Sequence, residues 1–124
     1  MEKLKIQSTE DTPEILLDTN GNTLEFFGKS YPDNVFIFYE PVMAWLNKYS
    51  TSPGPLTNLI FKLDYFNTAS AKIIFDILSI VDKIKAKGHM VKIQWYYKKE
   101  DDDMKEAGEG YGKIISTEIE VVGY

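Results

Sequence analysis

Cysteine and arginine are both missing from this chain, and histidine occurs once, as His89. Without cysteine there is no disulfide, no thiolate nucleophile, no iron–sulfur cluster and no cysteine-bound zinc. Without arginine there is no planar fork for bidentate recognition of phosphate or guanine, and all 14 basic residues are lysines. A lone histidine cannot share a metal with a second one, and a serine–histidine–acid triad has only His89 to draw on. Standing just after Gly88, His89 reads as a surface or helix-end imidazole. No apolar run approaches the ~20 residues of a membrane span. The opening MEKLKIQSTEDTPE has no apolar signal-peptide core, so a cytoplasmic protein is expected. Phosphate loops of the GxxxxGK(S/T) type, and GxGxxG turns after a strand, are absent as well. The glycines of GEGYG lie inside a helical pattern and read as a loosened helix end.

What is present suits one packed domain. Of 124 residues, 44% are hydrophobic and 27% charged, which is enough to bury one core and too apolar for disorder. The net charge of −5 repels phosphate backbones and anionic lipids, so nucleic-acid and membrane partners are not expected. Residues 1–124 are read as a single domain, with no repeat and no linker.

Patterning along the chain predicts an α/β fold. Residues 3–9 alternate as a strand, PEILLDT reads as a second, and Asn20-Gly21 as the tight turn into NTLEFFG, which makes an N-terminal β-meander. A helical region follows at SYPDNVFIFYEPVMAWLNKYS, with Pro32 in its first turn, Asp33 against its positive end, and Pro41 kinking or dividing it near Tyr39. TNLIFKLDYF reads as a central strand, with Leu59, Phe61, Leu63 and Tyr65 on one face. ASAKIIFDILSIVDKIKAK reads as an amphipathic helix with Ile73, Ile77, Ile80 and Ile84 inward, ended by Gly88. MVKIQWYY is the next strand, with Val91, Ile93 and Trp95 on one face, completing a parallel βαβ crossover over residues 57–97. A weak glycine-rich helix and a last strand, STEIEVVGY, close the chain.

Two places carry candidate chemistry. Asp101, Asp102 and Asp103 are the one plausible hard-cation run, with Glu106 or Glu109 as further ligands. They lack the EF-hand pattern, and charge-matching of the following helix explains them more simply. Tyr96 and Tyr97 beside Trp95 could stack on bases, but the surrounding acidity favours a sheet face or a partner surface. The second place is FKLDYFNTASAK, residues 61–72, a strand running into a helix whose first turn holds Thr68 and Ser70. A helix N-terminus offers free N–H groups and a positive dipole end to a phosphate, and Lys72 stands at i,i+4 from Thr68. From these residues alone a plain N-cap by Asn67 or Thr68 is the simpler reading.

Several blocks, taken in order, shift that balance: TPEILLD, GKSYPDN, FYEPVMAWL, FKLDYFNTASAK and WYYKKEDDDMKEAGEGY. With them the chain resembles, along nearly its whole length, the SiaC family of bacterial biofilm-regulation phosphoproteins. The resemblance implies a STAS-like fold related to anti-sigma-factor antagonists. It implies that Thr68 is the phosphoacceptor, with Ala69 where the family often has serine. It further implies a non-catalytic partner switch without cofactors. A serine/threonine kinase of the histidine-kinase-like ATPase type adds the phosphate, and a PP2C-type phosphatase removes it. The unphosphorylated form binds and activates a diguanylate cyclase. Asp64, Tyr65, Phe66, Asn67, Ser70 and Lys72 are the expected partner surface, Ser70 is not expected to be modified, and the acidic run is expected to matter less. An anti-sigma antagonist, and a small metal-binding domain using the aspartates, remain as alternatives.

Overall fold

A computed structural model describes residues 1–124. Six strands and three helices follow the order β1 (Leu4–Ile6), β2 (Glu14–Asp18), β3 (Thr23–Ser30), α1 (Val35–Thr51), β4 (Leu56–Phe66), α2 (Thr68–Ala86), β5 (Met90–Tyr97), α3 (Asp102–Gly112) and β6 (Ile119–Gly123). The sheet runs β1-β2-β3-β4-β5-β6, with β1 to β3 antiparallel and β3 to β6 parallel. The expected meander and βαβ crossover are both present, and β4 is central. Each parallel connection carries one helix and steps the same way along the sheet. Right-handed crossovers of that kind put all their helices on one face. Burial agrees: Ile15, Leu17, Leu24, Phe26, Leu59, Phe61, Ile93 and Trp95 are buried, while Leu16, Glu25, Phe27, Ile60, Gln94 and Tyr96, one step out of phase, are half-buried. Phe26 stacks on Phe61 at 4.9 Å between centroids, and Phe61 meets Trp95 at 5.3 Å, so aromatic contact runs across three strands. Each such side chain, fully buried, contributes about 1.5–3 kcal/mol. No helix is long and apolar enough to cross a membrane.

Several local expectations need correction. The first strand covers three residues, not seven. In the β2–β3 connection the left-handed residue is Asn22, at φ 53°, rather than Asn20 or Gly21. Its carbonyl accepts the Asn58 N–H at 2.9 Å, which ties the turn to β4. α1 begins later than Pro32: Asn34 is the cap, its side chain accepting the Ile37 N–H at 3.1 Å, and Pro32 and Asp33 precede it. Pro41 neither divides nor ends α1, which runs through it for 17 residues. The inward row of Val35, Tyr39, Val42, Leu46 and Tyr49 holds the helix on the sheet while one backbone bond is lost. On α2 the buried row is Ile73, Ile74, Ile77, Leu78, Val81 and Ile84, with Ile80 only partly covered. The end of α2 is as expected. Gly88, at φ 99°, and His89 return N–H bonds to the carbonyls of Lys85 and Ile84.

The glycines of α3 are not all tolerated defects. A Cβ on Gly108 would stand 2.4 Å from Trp95 Cδ1, so its absence lets α3 lie directly on the Trp95 ring. The indole also donates from Nε1 to the Met104 carbonyl at 2.9 Å.

Candidate functional site at the start of α2

The site lies where the parallel strands end and their helices begin. β3 and β4 pair in register up to Gly28↔Leu63 and resume at Lys29↔Tyr65, so Asp64 is the extra residue of a bulge. A bulge re-aims the side chains beyond it. Phe66, not Tyr65, therefore turns onto the core side, edge-on to Trp95 at 6.0 Å. Tyr65 is left 51% exposed and meets Tyr31 edge-on at 5.7 Å. The expected four-residue face Leu59, Phe61, Leu63, Tyr65 thus ends at Leu63.

Asn67 then stops the strand and caps α2, its side chain accepting the Ser70 N–H at 2.9 Å. Its own N–H donates to the Ser30 carbonyl at 3.1 Å, fixing the junction to the end of β3. Thr68 is the first helical residue and is exposed, as is Ala69. The first four N–H groups of a helix have no acceptor within it, and at α2 the Asn67 side chain serves that of Ser70. Thr68 therefore joins a solvent-facing hydroxyl to a positive helix end.

Ser70 is different, and its place in the expected partner surface needs correction. It is fully buried, and its Oγ accepts from Ser30 Oγ at 2.8 Å. Ser30 Oγ in turn lies 2.6 Å from the Tyr39 hydroxyl on α1. Burial pushes the Tyr39 phenol up to about 12, against a smaller opposing effect of the Ser30 hydrogen bond. Tyr39 thus stays protonated as a donor, and three hydroxyls from β3, α1 and α2 satisfy one another beneath Thr68. On the other side, Tyr111 of α3 donates its hydroxyl to the Ala71 carbonyl at 2.7 Å. Burial also lifts the Tyr111 phenol to about 12.

Lys72 is exposed on the helix surface. Asp64 pairs with Lys98 at 3.3 Å, both side chains well exposed, a contact of small energetic weight. Asp64, Tyr65 and Phe66 line an open depression of about 300 Å³ together with Asp101, Asp103, Met104 and Ala107. The acidic run, which the sequence sets far from Thr68, is therefore a neighbour of the strand leading to it. A larger depression of about 390 Å³ opens on the uncovered sheet face, lined in part by Phe27, Lys62 and Tyr124, and involves no residue of α2.

The aspartates do not converge on a cation. No group of three or more histidine, cysteine, aspartate or glutamate side chains forms a metal cluster. Asp101 caps α3 by accepting the Met104 N–H at 3.0 Å, and Asp102 and Asp103 occupy its first turn. One carboxylate escaped notice in the sequence. Asp82 of α2 accepts from the N–H groups of Ser116 and Thr117 and from the Thr117 hydroxyl, pinning the loop before β6. Partial burial would raise its pKa, but those hydrogen bonds prevail and hold it below the ordinary carboxylate value.

This scaffold and its sequence match known proteins. Residues 6–124 match the family model described as SiaC family regulatory phosphoprotein. The chain belongs to the SiaC family. An uncharacterized protein of Pseudomonas aeruginosa strain UCBPP-PA14 is 29% identical over 116 residues, covering 94% of this chain and 92% of that one. The solved structure of SiaC of Pseudomonas aeruginosa superposes with a TM-score of 0.92 at 27% identity, covering 100% of both chains. A chain of the crystal structure of the diguanylate cyclase SiaD in complex with its activator SiaC, also from Pseudomonas aeruginosa, matches with a TM-score of 0.91 at 27% identity, covering 98% of this chain and 99% of that one. The α/β fold expected from the resemblance is the fold of these relatives.

Proposed function

We propose that this chain is a non-catalytic partner switch in which an exposed threonine, Thr68, takes and loses a phosphate and so controls binding to a diguanylate cyclase. The observation that carries this reading is the contrast in one helical turn. Thr68 is exposed at a capped helix start, while Ser70, two residues on, is locked into the core. A kinase can reach the first hydroxyl and not the second. The solved complex of a relative with a cyclase it activates supports the choice of effector.

The electrostatics give the switch its sign. A phosphate adds about −1.5 to −2 charges at pH 7. At the start of a helix it is tolerated by the free protein. Under a partner surface lacking a matched cation, the same dianion loses hydration and costs several kcal/mol. About 4 kcal/mol is a thousandfold in affinity, enough to dissolve a micromolar complex. The unphosphorylated form is then the one that binds and activates. A serine/threonine kinase of the histidine-kinase-like ATPase type and a PP2C-type phosphatase complete the cycle, which operates in the cytoplasm.

Phosphopeptide mapping after incubation with the host's own kinase and ATP tests the site. The phosphate is expected on Thr68 alone and is expected to vanish in Thr68→Ala. Modification of Ser70 that survives Thr68→Ala would overturn the assignment.

A further inference from the structure

The outward face of α1 breaks two rules at once. Phe36 and Ile37 are consecutive, both 68% exposed, and Pro41 and Ala44 continue the same exposed surface along the helix. Pro41 also sits in the helix interior, where proline is strongly disfavoured. Lacking an N–H, it leaves the Ile37 carbonyl without its i+4 donor. An exposed apolar stripe and a proline that removes a helical hydrogen bond on the same surface are features that folding alone disfavours, and such violations mark functional surfaces.

The position of this face names its occupant. α1 starts at the same end of the sheet as α2, because both follow parallel strands. Its second turn is fastened to the turn that carries Thr68 by the Tyr39–Ser30–Ser70 hydroxyls, and Ser30 also accepts the Asn67 N–H. A partner covering Thr68 therefore meets the first turns of α1 next. Exposed Asp33 and Glu40 flank Phe36 and Ile37, which calls for lysine or arginine at the margin of the partner's contact.

We infer that the outer face of α1 around Phe36, Ile37 and Pro41 is the second half of the effector-binding surface. It takes a segment of the cyclase that offers apolar side chains, a hydrogen-bond donor for the Ile37 carbonyl, and basic flanks. This rests on the proposed switch at Thr68 and extends its surface to a second helix.

Calorimetric titration of the host's own SiaD-like diguanylate cyclase with four forms of the full chain tests it: wild type, Thr68→Asp, Phe36→Ser with Ile37→Ser, and Pro41→Ala. Melts of each form establish that it folds. The double variant is expected to bind at least about tenfold more weakly, roughly the loss of 1.4 kcal/mol. Pro41→Ala is expected to melt higher than wild type, because the helix regains a bond, and yet to bind more weakly. A merely structural role would not produce that opposition. If Thr68→Asp weakens binding while the α1 variants bind like wild type, the α1 surface is refuted and the switch stands. If Thr68→Asp binds like wild type and the α1 variants do not, the surface stands and the switch fails. Absence of wild-type binding overturns both. If sedimentation shows that wild type is a dimer and the double variant a monomer, the face belongs to a second copy and the inference is wrong.

Discussion

Ser30 Oγ donates to Ser70 Oγ across 2.8 Å, joining the last residue of β3 to the first turn of α2 over 40 positions of sequence. Both groups are fully buried. Removing the Ser70 hydroxyl takes away the acceptor of the Ser30 O–H, which keeps only its contact with Tyr39, and a buried donor without a partner costs about 1–3 kcal/mol. Ser70→Ala should therefore lower the melting temperature by about 4–10 °C. Thr68→Ala, two residues away and exposed, should change it little. Scanning calorimetry of the two variants compares them directly, and equal melting temperatures would mean the hydroxyl chain does not hold the site.

Gly108 and Gly110 should answer alanine with opposite signs. Helix propensity alone favours alanine at both by about 1 kcal/mol. At Gly110 nothing lies within 4 Å of the added carbon, so stabilisation should follow. At Gly108 the carbon would stand 2.4 Å from Trp95, and overpacking of this kind costs about 1–3 kcal/mol. Urea unfolding of each variant gives the two signs.

The elements whose information is local were legible in the sequence. β4 and α2 announced themselves by periodicity, and Gly88 by the left-handed stop it supplies. So was the α2 junction, since a strand ending in Asn67 and Thr68 is itself a capping signal. What stayed hidden depends on distant partners. The bulge at Asp64 exists only in the pairing with β3, and it decides which of Tyr65 and Phe66 is buried. Ser70 looked like a surface serine because its partners, Ser30 and Tyr39, come from other elements. Pro41 misled because propensity scores the lost bond without the row of side chains that keeps α1 on the sheet. The acidic run looked remote from Thr68 because β5 and α3 intervene in sequence, whereas the parallel topology returns Asp101 and Asp103 beside Asp64.

Asp101 serves α3 as a cap. Asp101→Ala should cost about 0.5–2 kcal/mol of stability, and Asp101→Asn much less, because an amide oxygen still accepts the Met104 N–H. Millimolar Mg²⁺ should leave the melting temperatures of all three forms unchanged. Saturable Mg²⁺ binding that Asp102→Ala weakens would restore the metal-site reading.

Acid stability should report on Asp82. Its pKa in the folded chain lies below the ordinary value of 3.8, so the folded state holds fewer protons than the unfolded state in that range. Its contribution is therefore fully present above pH 3.8 and is lost as pH falls below it, through the folded pKa. Asp82→Asn should destabilise the chain at pH 6 and flatten the loss of stability below pH 4 (about the titration range of a free carboxylate). Denaturant midpoints measured from pH 2 to 7 (spanning that range) give the slope, and parallel curves for the two forms would remove Asp82 from the account.

The central claim is that the state of Thr68 sets effector output. The most direct measurement is cyclic di-GMP formed by the host's diguanylate cyclase as it is titrated with three preparations: the unphosphorylated chain, the chain phosphorylated to completion, and Thr68→Ala carried through the same kinase reaction. Stimulation is expected from the first and third, while the second should need at least about a hundredfold higher concentration, a difference of about 2.7 kcal/mol in binding. Equal stimulation by the phosphorylated and unphosphorylated chains would contradict that claim.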